Sequence, residues 1–232
     1  MRYWLLMPAA GAGRRFGNEL PKQYQPLRGR SVLAWALRPF LSDPACAGVV
    51  LALAADDPYG PAVRDALPRE VTTVRGGQER CHSVRAGLAA LEGRLDSTDW
   101  VLVHDAARPC LTAQDLQRLT GECAGHPVGG VLAAPVSDTL KLAGADALVE
   151  RTVDRSGLWR ALTPQMFRLG PLCAALDAAI AAGRLPTDES QALEWTGARP
   201  LLVAGSALNI KITTAADLAL AEALLATAGD SP

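Results

Sequence analysis

Runs with no polar face recur along this chain, among them residues 5–10 (LLMPAA), 48–54 (GVVLALA) and 100–103 (WVLV). A strand with one side in water alternates apolar and polar residues, so strands like these need cover above and below. That is the situation of a mostly parallel sheet between helices. Amphipathic stretches alternate with the apolar runs. Ser31 is a predicted N-cap, followed by Val32, Leu33, Ala36, Leu37 and Phe40 at helical spacing up to Pro44. Residues 81–91 put Val84, Leu88 and Leu91 on one helical face. A short helix is expected within 57–67, a strand at 71–74, a helix at 112–123 and a strand at 130–134. The alternation predicts an α/β fold with a mostly parallel central sheet, helices on both faces, and ligands gathered at the carboxyl ends of the strands.

Three loops leave those ends and are expected to share one cleft: residues 10–22, the turn Gly76-Gly77-Gln78, and residues 105–108. In the first, Pro8 and the small residues Ala9, Ala10, Gly11 and Gly13 let backbone approach a ligand closely, and Arg14, Arg15 and Lys22 follow at once. Bare N–H groups reinforced by cations suit a polyphosphate. Gly11, Gly13 and Gly17 do not have the G-x-G-x-x-G spacing of a dinucleotide site, and no acid lies about 20 residues on. A P-loop would end in Gly-Lys-Ser/Thr, but Gly17 is followed by Asn18.

After residue 135 the rhythm changes. Residues 138–142 and 147–153 flank the turn Ala143-Gly144-Ala145-Asp146 and predict a β-hairpin, an insertion at about 136–163 in a single domain spanning 1–232. A hairpin that projects from an α/β core is expected to make an oligomer contact, with Lys141, Arg151 and Arg155 as rim charges or as groups reaching a neighbour. Beyond it come an expected helix at 171–182, another starting at Thr187-Asp188-Glu189, a strand at 200–204 and a helix at 215–226; residues 228–232 are expected to fray.

The 23 Lys and Arg residues are balanced by 24 Asp and Glu, so no basic field marks a nucleic-acid binder. Five cysteines with no C-x-x-C, the scattered His82, His104 and His126, and an apolar start too occupied by strand and loop for a leader predict a cytoplasmic protein. No disulfide framework, zinc site or membrane contact is expected.

The order of motifs is more informative than any one of them. PAAGAGRRFG with PKQY, GGQERCHSVRAGL, VLVHDAARP, APVSDTLK, TVDRSGLW, TPQMF, TDES and NIKIT together resemble the 2-C-methyl-D-erythritol 4-phosphate cytidylyltransferases over nearly the whole chain. The resemblance implies a Rossmann-like nucleotidyltransferase fold, a homodimer built through the hairpin arm, Mg2+, and transfer of CMP from CTP to methylerythritol phosphate. It puts Arg15 and Lys22 on the CTP phosphates as catalytic cations, Gly77, Gln78 and Ser83 at cytosine, and Asp105 on Mg2+. Arg108, Thr187 and Lys211 fall at the sugar phosphate, with Thr139 and Arg155 donated by the second subunit. Gln78 stands where the family often has an acid, Leu208 where it often has Asp, and Ser190 where it often has Ala. The Gln78 amide oxygen can still accept from the cytosine amino group.

The chemistry also stands on its own. A phosphate monoester with its second pKa at ~6 is already largely dianionic at neutral pH, so no His or Cys base is required. The need is for charge shielding between a dianion and a triphosphate, which Arg15, Lys22, Lys211 and a magnesium ion held by Asp105 would supply. The nearest rival substrate is ribitol 5-phosphate, against which TVDRSGLW and NIKIT favour methylerythritol. A non-catalytic nucleotide sensor would keep the glycine loop without needing the three cations.

Overall fold

The computed structural model describes residues 1–11, 20–68 and 71–227. The glycine-loop residues Gly13, Arg14 and Arg15 and the expected frayed end at 228–232 lie outside these. In chain order the elements are β1 (Tyr3–Pro8), a 3-10 turn (Lys22–Tyr24), β2 (Pro26–Leu27), β3 (Arg30–Ser31), α1 (Val32–Leu41), β4 (Cys46–Leu53), α2 (Gly60–Asp65), β5 (Val71–Arg75), α3 (Arg80–Ala89), β6 (Trp100–Val103), α4 (Ala113–Cys123) and β7 (Gly129–Pro135). They continue with β8 (Leu140–Ala143), β9 (Val149–Val153), β10 (Trp159–Arg168), α5 (Leu169–Ala181), α6 (Glu189–Glu194), β11 (Leu201–Ala204) and α7 (Ala215–Thr227).

Strand β1 sits inside the sheet because its residues are apolar on both faces. It pairs in parallel with β4 on one side and β6 on the other, with Leu5 opposite Val49 and Leu102. The two-residue period then sorts the core into two layers. Leu5, Met7, Val49, Leu51 and Leu102 face α1 and α4, meeting Leu33, Leu37, Phe40, Leu116 and Leu119. Leu6, Val50, Val101 and Val103 face α3 and α5, meeting Val84, Leu88, Leu172 and Leu176. Burying each such side chain stabilises the fold by about 1.5–3 kcal/mol, which is why helices on both faces follow from the sequence pattern. Gly87 lets α3 press against β1, since a Cβ there would lie 2.1 Å from Leu6 Cδ1.

The seven-stranded sheet has the order β11-β7-β10-β6-β1-β4-β5. Six strands run one way, and β10 alone is antiparallel to its neighbours β6 and β7. Ser31 caps α1 as predicted, and Thr112 caps α4. Ser31 Oγ accepts from Ala34 N at 3.1 Å and Thr112 Oγ1 from Asp115 N at 3.1 Å.

Strand β10 is the element the sequence pattern conceals. Its run WRALTPQMFR carries Pro164, which reads as a non-strand signal, and the buried polar residues Thr163 and Gln165 break the apolar pattern. The register shifts between Ala161 and Gln165, so the proline falls where ladder pairing is interrupted. Residues 159–163 therefore belong to the central sheet and not to the arm. The arm itself is the β8–β9 ladder, Leu140 opposite Val153, and it pairs with no other strand among the described residues. NIKIT, strand-like in sequence, is a loop fixed by Ile212 N donating to Ala107 O at 2.8 Å.

Candidate active site at the strand ends

The three predicted loops do converge. One pocket is walled by Pro8, Ala9, Ala10, Gly11 and Lys22 from the first, Gly77, Gln78 and Ser83 from the second, and Asp105 with Ala106 from the third, with Lys211 closing one side. Behind the first loop, Ala9 N extends the parallel ladder to Ala52 O at 2.8 Å. The buried Gln23 donates through Nε2 to Ala9 O at 2.8 Å and Gly11 O at 3.3 Å, tying the loop's exit, and so Lys22, to its entrance.

The second loop is pinned by Gly76 N donating to Leu53 O at 2.7 Å, and by Gly77 N donating to Ser83 Oγ at 3.1 Å. A Cβ on Gly77 would lie 2.3 Å from His82 Cβ, so the turn closes over the start of α3 only with glycine there. Ser83 is buried beneath this turn, while Gln78 is exposed on the pocket's rim.

The third loop carries most of the charge. Asp105 directs Oδ1 to Arg80 Nε at 3.0 Å, and Oδ2 to Lys211 Nζ at 2.8 Å and Arg108 Nε at 3.4 Å. Arg80 also forks onto Glu189, with Nη1 to Oε1 at 2.6 Å and Nη2 to Oε2 at 3.0 Å. Three cations against two carboxylates leave this cluster with one net positive charge. Burial works to raise the Asp105 carboxyl, but Arg80, Lys211 and Arg108 outweigh it and hold the group well below the usual carboxylate range. Burial likewise pushes Glu189 up, opposed by the Arg80 fork.

Under the pocket floor, His104 is fully buried and burial pushes it down to about 4, so it is neutral. Its Nε2 lies 3.1 Å from Arg108 O, and a carbonyl can only accept, which places the ring proton on Nε2. Nδ1 then accepts from Thr163 Oγ1 at 2.9 Å, leaving that oxygen to accept from Asp105 N at 3.0 Å. Asn209 Nδ2 donates to Thr163 O at 2.7 Å, and Arg108 Nη1 to Asn209 O at 2.7 Å. Asp105 is thus held at its backbone by β10 and at its carboxylate by α3 and the NIKIT loop.

Some expected residues lie elsewhere. Arg108 is turned against Asp105 and Asn209, behind the wall. Thr187 is exposed just before α6, its N–H donating to Gln191 Oε1 at 2.9 Å. Thr139 and Arg155 are exposed on the arm and absent from the pocket wall, and Arg155 Nη1 donates to Ser137 O within the arm. Arg15 and Gly13 lie outside the described residues. Arg80, Glu189, His104 and Thr163 had no role assigned from sequence. Arg80 did carry a signal: it opens α3, the helix end whose dipole disfavours a cation, so an anionic partner was to be expected.

The family model described as 2-C-methyl-D-erythritol 4-phosphate cytidylyltransferase matches residues 3–227. The chain belongs to that family. A cytidylyltransferase relative from Halorhodospira halophila is 54% identical over 97% of this chain and 94% of its own length. One from Ectopseudomonas mendocina is 52% identical over 94% and 93%. A solved 4-diphosphocytidyl-2C-methyl-D-erythritol synthase superposes with a TM-score of 0.85 at 39% identity, covering 97% of this chain and 98% of the other. The Francisella tularensis cytidylyltransferase structure gives 0.81 at 32% identity, over 97% and 100%. The cytidylyltransferase family makes this chain an enzyme with a single α/β nucleotidyltransferase fold.

Proposed function

We propose that this pocket joins CTP to 2-C-methyl-D-erythritol 4-phosphate. A 4-phosphate oxygen attacks the α-phosphorus of CTP, the new phosphoanhydride forms, the α–β bond breaks, and pyrophosphate leaves with the electron pair. The single observation that carries the reading is the convergence of Lys22, Asp105 and Lys211, from three separate segments, on one pocket floored by backbone and small residues. Lys22, with Arg15 from the same loop, stabilises charge on the reacting phosphoryl group. Pro8, Ala9, Ala10, Gly11 and Gly13 admit the nucleotide's backbone-facing side, and Gly77, Gln78 and Ser83 meet the small pyrimidine edge. Lys211, with Thr187 and with Arg108 behind it, receives the sugar phosphate.

Asp105 suits magnesium as a firmly ionised carboxylate on the wall of the pocket, since that ion commonly takes one or two carboxylates and completes its shell with phosphate oxygens and water. Mg2+ held by Asp105 would neutralise part of the triphosphate charge.

The enzyme acts as a homodimer in this reading. The arm, the turn after it and the start of β10 expose Leu142, Leu148, Val149, Leu158 and Trp159, an apolar set that a second copy would cover. Thr139 and Arg155 then reach the pocket of the neighbouring copy. Cytoplasmic location agrees with five buried free cysteines and with the lack, among the described residues, of a helix long and apolar enough to cross a membrane.

Pyrophosphate release from CTP and Mg2+, with methylerythritol phosphate or ribitol 5-phosphate offered separately, tests the substrate assignment. Release only with methylerythritol phosphate is expected. Faster release with ribitol 5-phosphate would transfer the enzyme to the rival substrate.

A further inference from the structure

Glu189 is almost fully buried, yet it lies outside the pocket wall and touches the site through one side chain, Arg80. Arg80 itself lines the pocket, but all three of its guanidinium nitrogens are already engaged by protein carboxylates: Nε by Asp105, Nη1 and Nη2 by Glu189. It is therefore placed as a strut between two segments, with each of its three nitrogens already donating to a protein carboxylate.

The two segments are those that receive the two substrates in the reading above. Asp105 follows β6 on the nucleotide side. Glu189 begins α6, two residues after Thr187 on the sugar-phosphate side. The start of α6 is anchored once more to the sheet, because Gln165 of β10 donates from Nε2 to Asp188 Oδ2 at 2.9 Å and accepts from Ser190 N at 2.9 Å. Gln165 fixes α6 against the sheet, whereas only the Arg80 fork joins it directly to the Asp105 cluster among the described residues.

We propose that Arg80 and Glu189 form a positioning clamp that fixes the Asp105 carboxylate relative to the start of α6, and so aligns the sugar phosphate with the nucleotide. By occupying the Arg80 fork, Glu189 also leaves Asp105 Oδ2 to Lys211 and Arg108 and keeps Arg80's terminal nitrogens off the triphosphate. The proposal rests on the substrate assignment just given.

The clamp predicts a split that a purely structural ion pair does not. Replacing a buried ion pair by apolar side chains of similar volume is often neutral or stabilising, so Arg80→Met/Glu189→Leu separates fold from alignment. In that double variant, kcat per titrated active site should fall roughly ten- to hundredfold, the cost of a misplacement on the order of 1 Å. CTP affinity by calorimetry and the melting temperature should stay near wild type. Arg80→Lys, which keeps the charge but lacks the fork, should recover part of kcat relative to the double variant.

A double variant with wild-type kcat and KM for both substrates would overturn the clamp. Should the double variant fail to fold, Arg80→Lys decides alone: unchanged kcat overturns the proposal, and a fall with CTP affinity preserved supports it. Wild-type enzyme that releases no pyrophosphate from these substrates would overturn the substrate assignment, and the clamp's role with it. An active wild type beside an equally active double variant overturns the clamp only.

Discussion

Lys211 Nζ lies 2.8 Å from Asp105 Oδ2, so the cation assigned to the incoming sugar phosphate is paired with the carboxylate assigned to the nucleotide side. Neither group is close to the other in sequence. The pairing exists because Ile212 N donates to Ala107 O, which lays the NIKIT loop along the residues after β6.

Lys211→Ala should separate catalysis from stability. Lys211 is part-exposed and Asp105 keeps Arg80 and Arg108, so loss of the pair should cost at most about 1 kcal/mol of stability. Activity should fall far more, with kcat/KM for the sugar phosphate down on the order of a hundredfold. Thermal melts beside steady-state rates check this, and a small kinetic effect with a large drop in melting temperature would reverse the assignment.

The pH dependence of stability should show His104. Its folded value is lowered to about 4 by burial, below the ordinary histidine value, so the unfolded chain binds the proton first as pH falls. Stability from this group is complete above pH ~6.5 and is lost as pH drops toward 4, a change on the order of 3 kcal/mol. Protonation would also remove the acceptor that Nδ1 offers Thr163, loosening the support of Asp105. Melts across this range, with imidazole NMR, should find His104 neutral down to about pH 4, and titration near 6.5 would contradict the buried assignment.

Lys22→Ala tests the first loop. A cation used mainly in the transition state should lower kcat much more than it raises KM for CTP. Unchanged kcat would make Lys22 a bystander, and single-turnover rates distinguish the two.

Most of the scaffold was legible because its signals are local. Apolar runs without a polar face marked β1, β4 and β6, and Ser31 marked the start of α1 by capping chemistry. Strand β10 was not legible, since Thr163 and Gln165 support the site and, with Pro164 between them, spoil the pattern of a central strand. The same reason hid the clamp. Arg80 and Glu189 are 109 positions apart, and their pairing depends on how α3 and α6 lie against one face of the sheet. Loop membership in one pocket could be read from strand ends, but the side chain each carboxylate would meet could not, because it is set by packing between distant elements.

The most direct test of the shared active site uses the arm. Lys22 lines the pocket of its own chain and Arg155 does not, so an active site completed by the neighbour should need Lys22 from one chain and Arg155 from the other. Lys22→Ala and Arg155→Ala should each be nearly inactive as homodimers. Mixed in equal amounts and allowed to exchange, about half the dimers carry one chain of each kind, and each of these has one intact site, so activity should recover to roughly a quarter of wild type. A mixture that stays inactive after verified subunit exchange would show that Arg155 serves its own chain and would contradict the shared site.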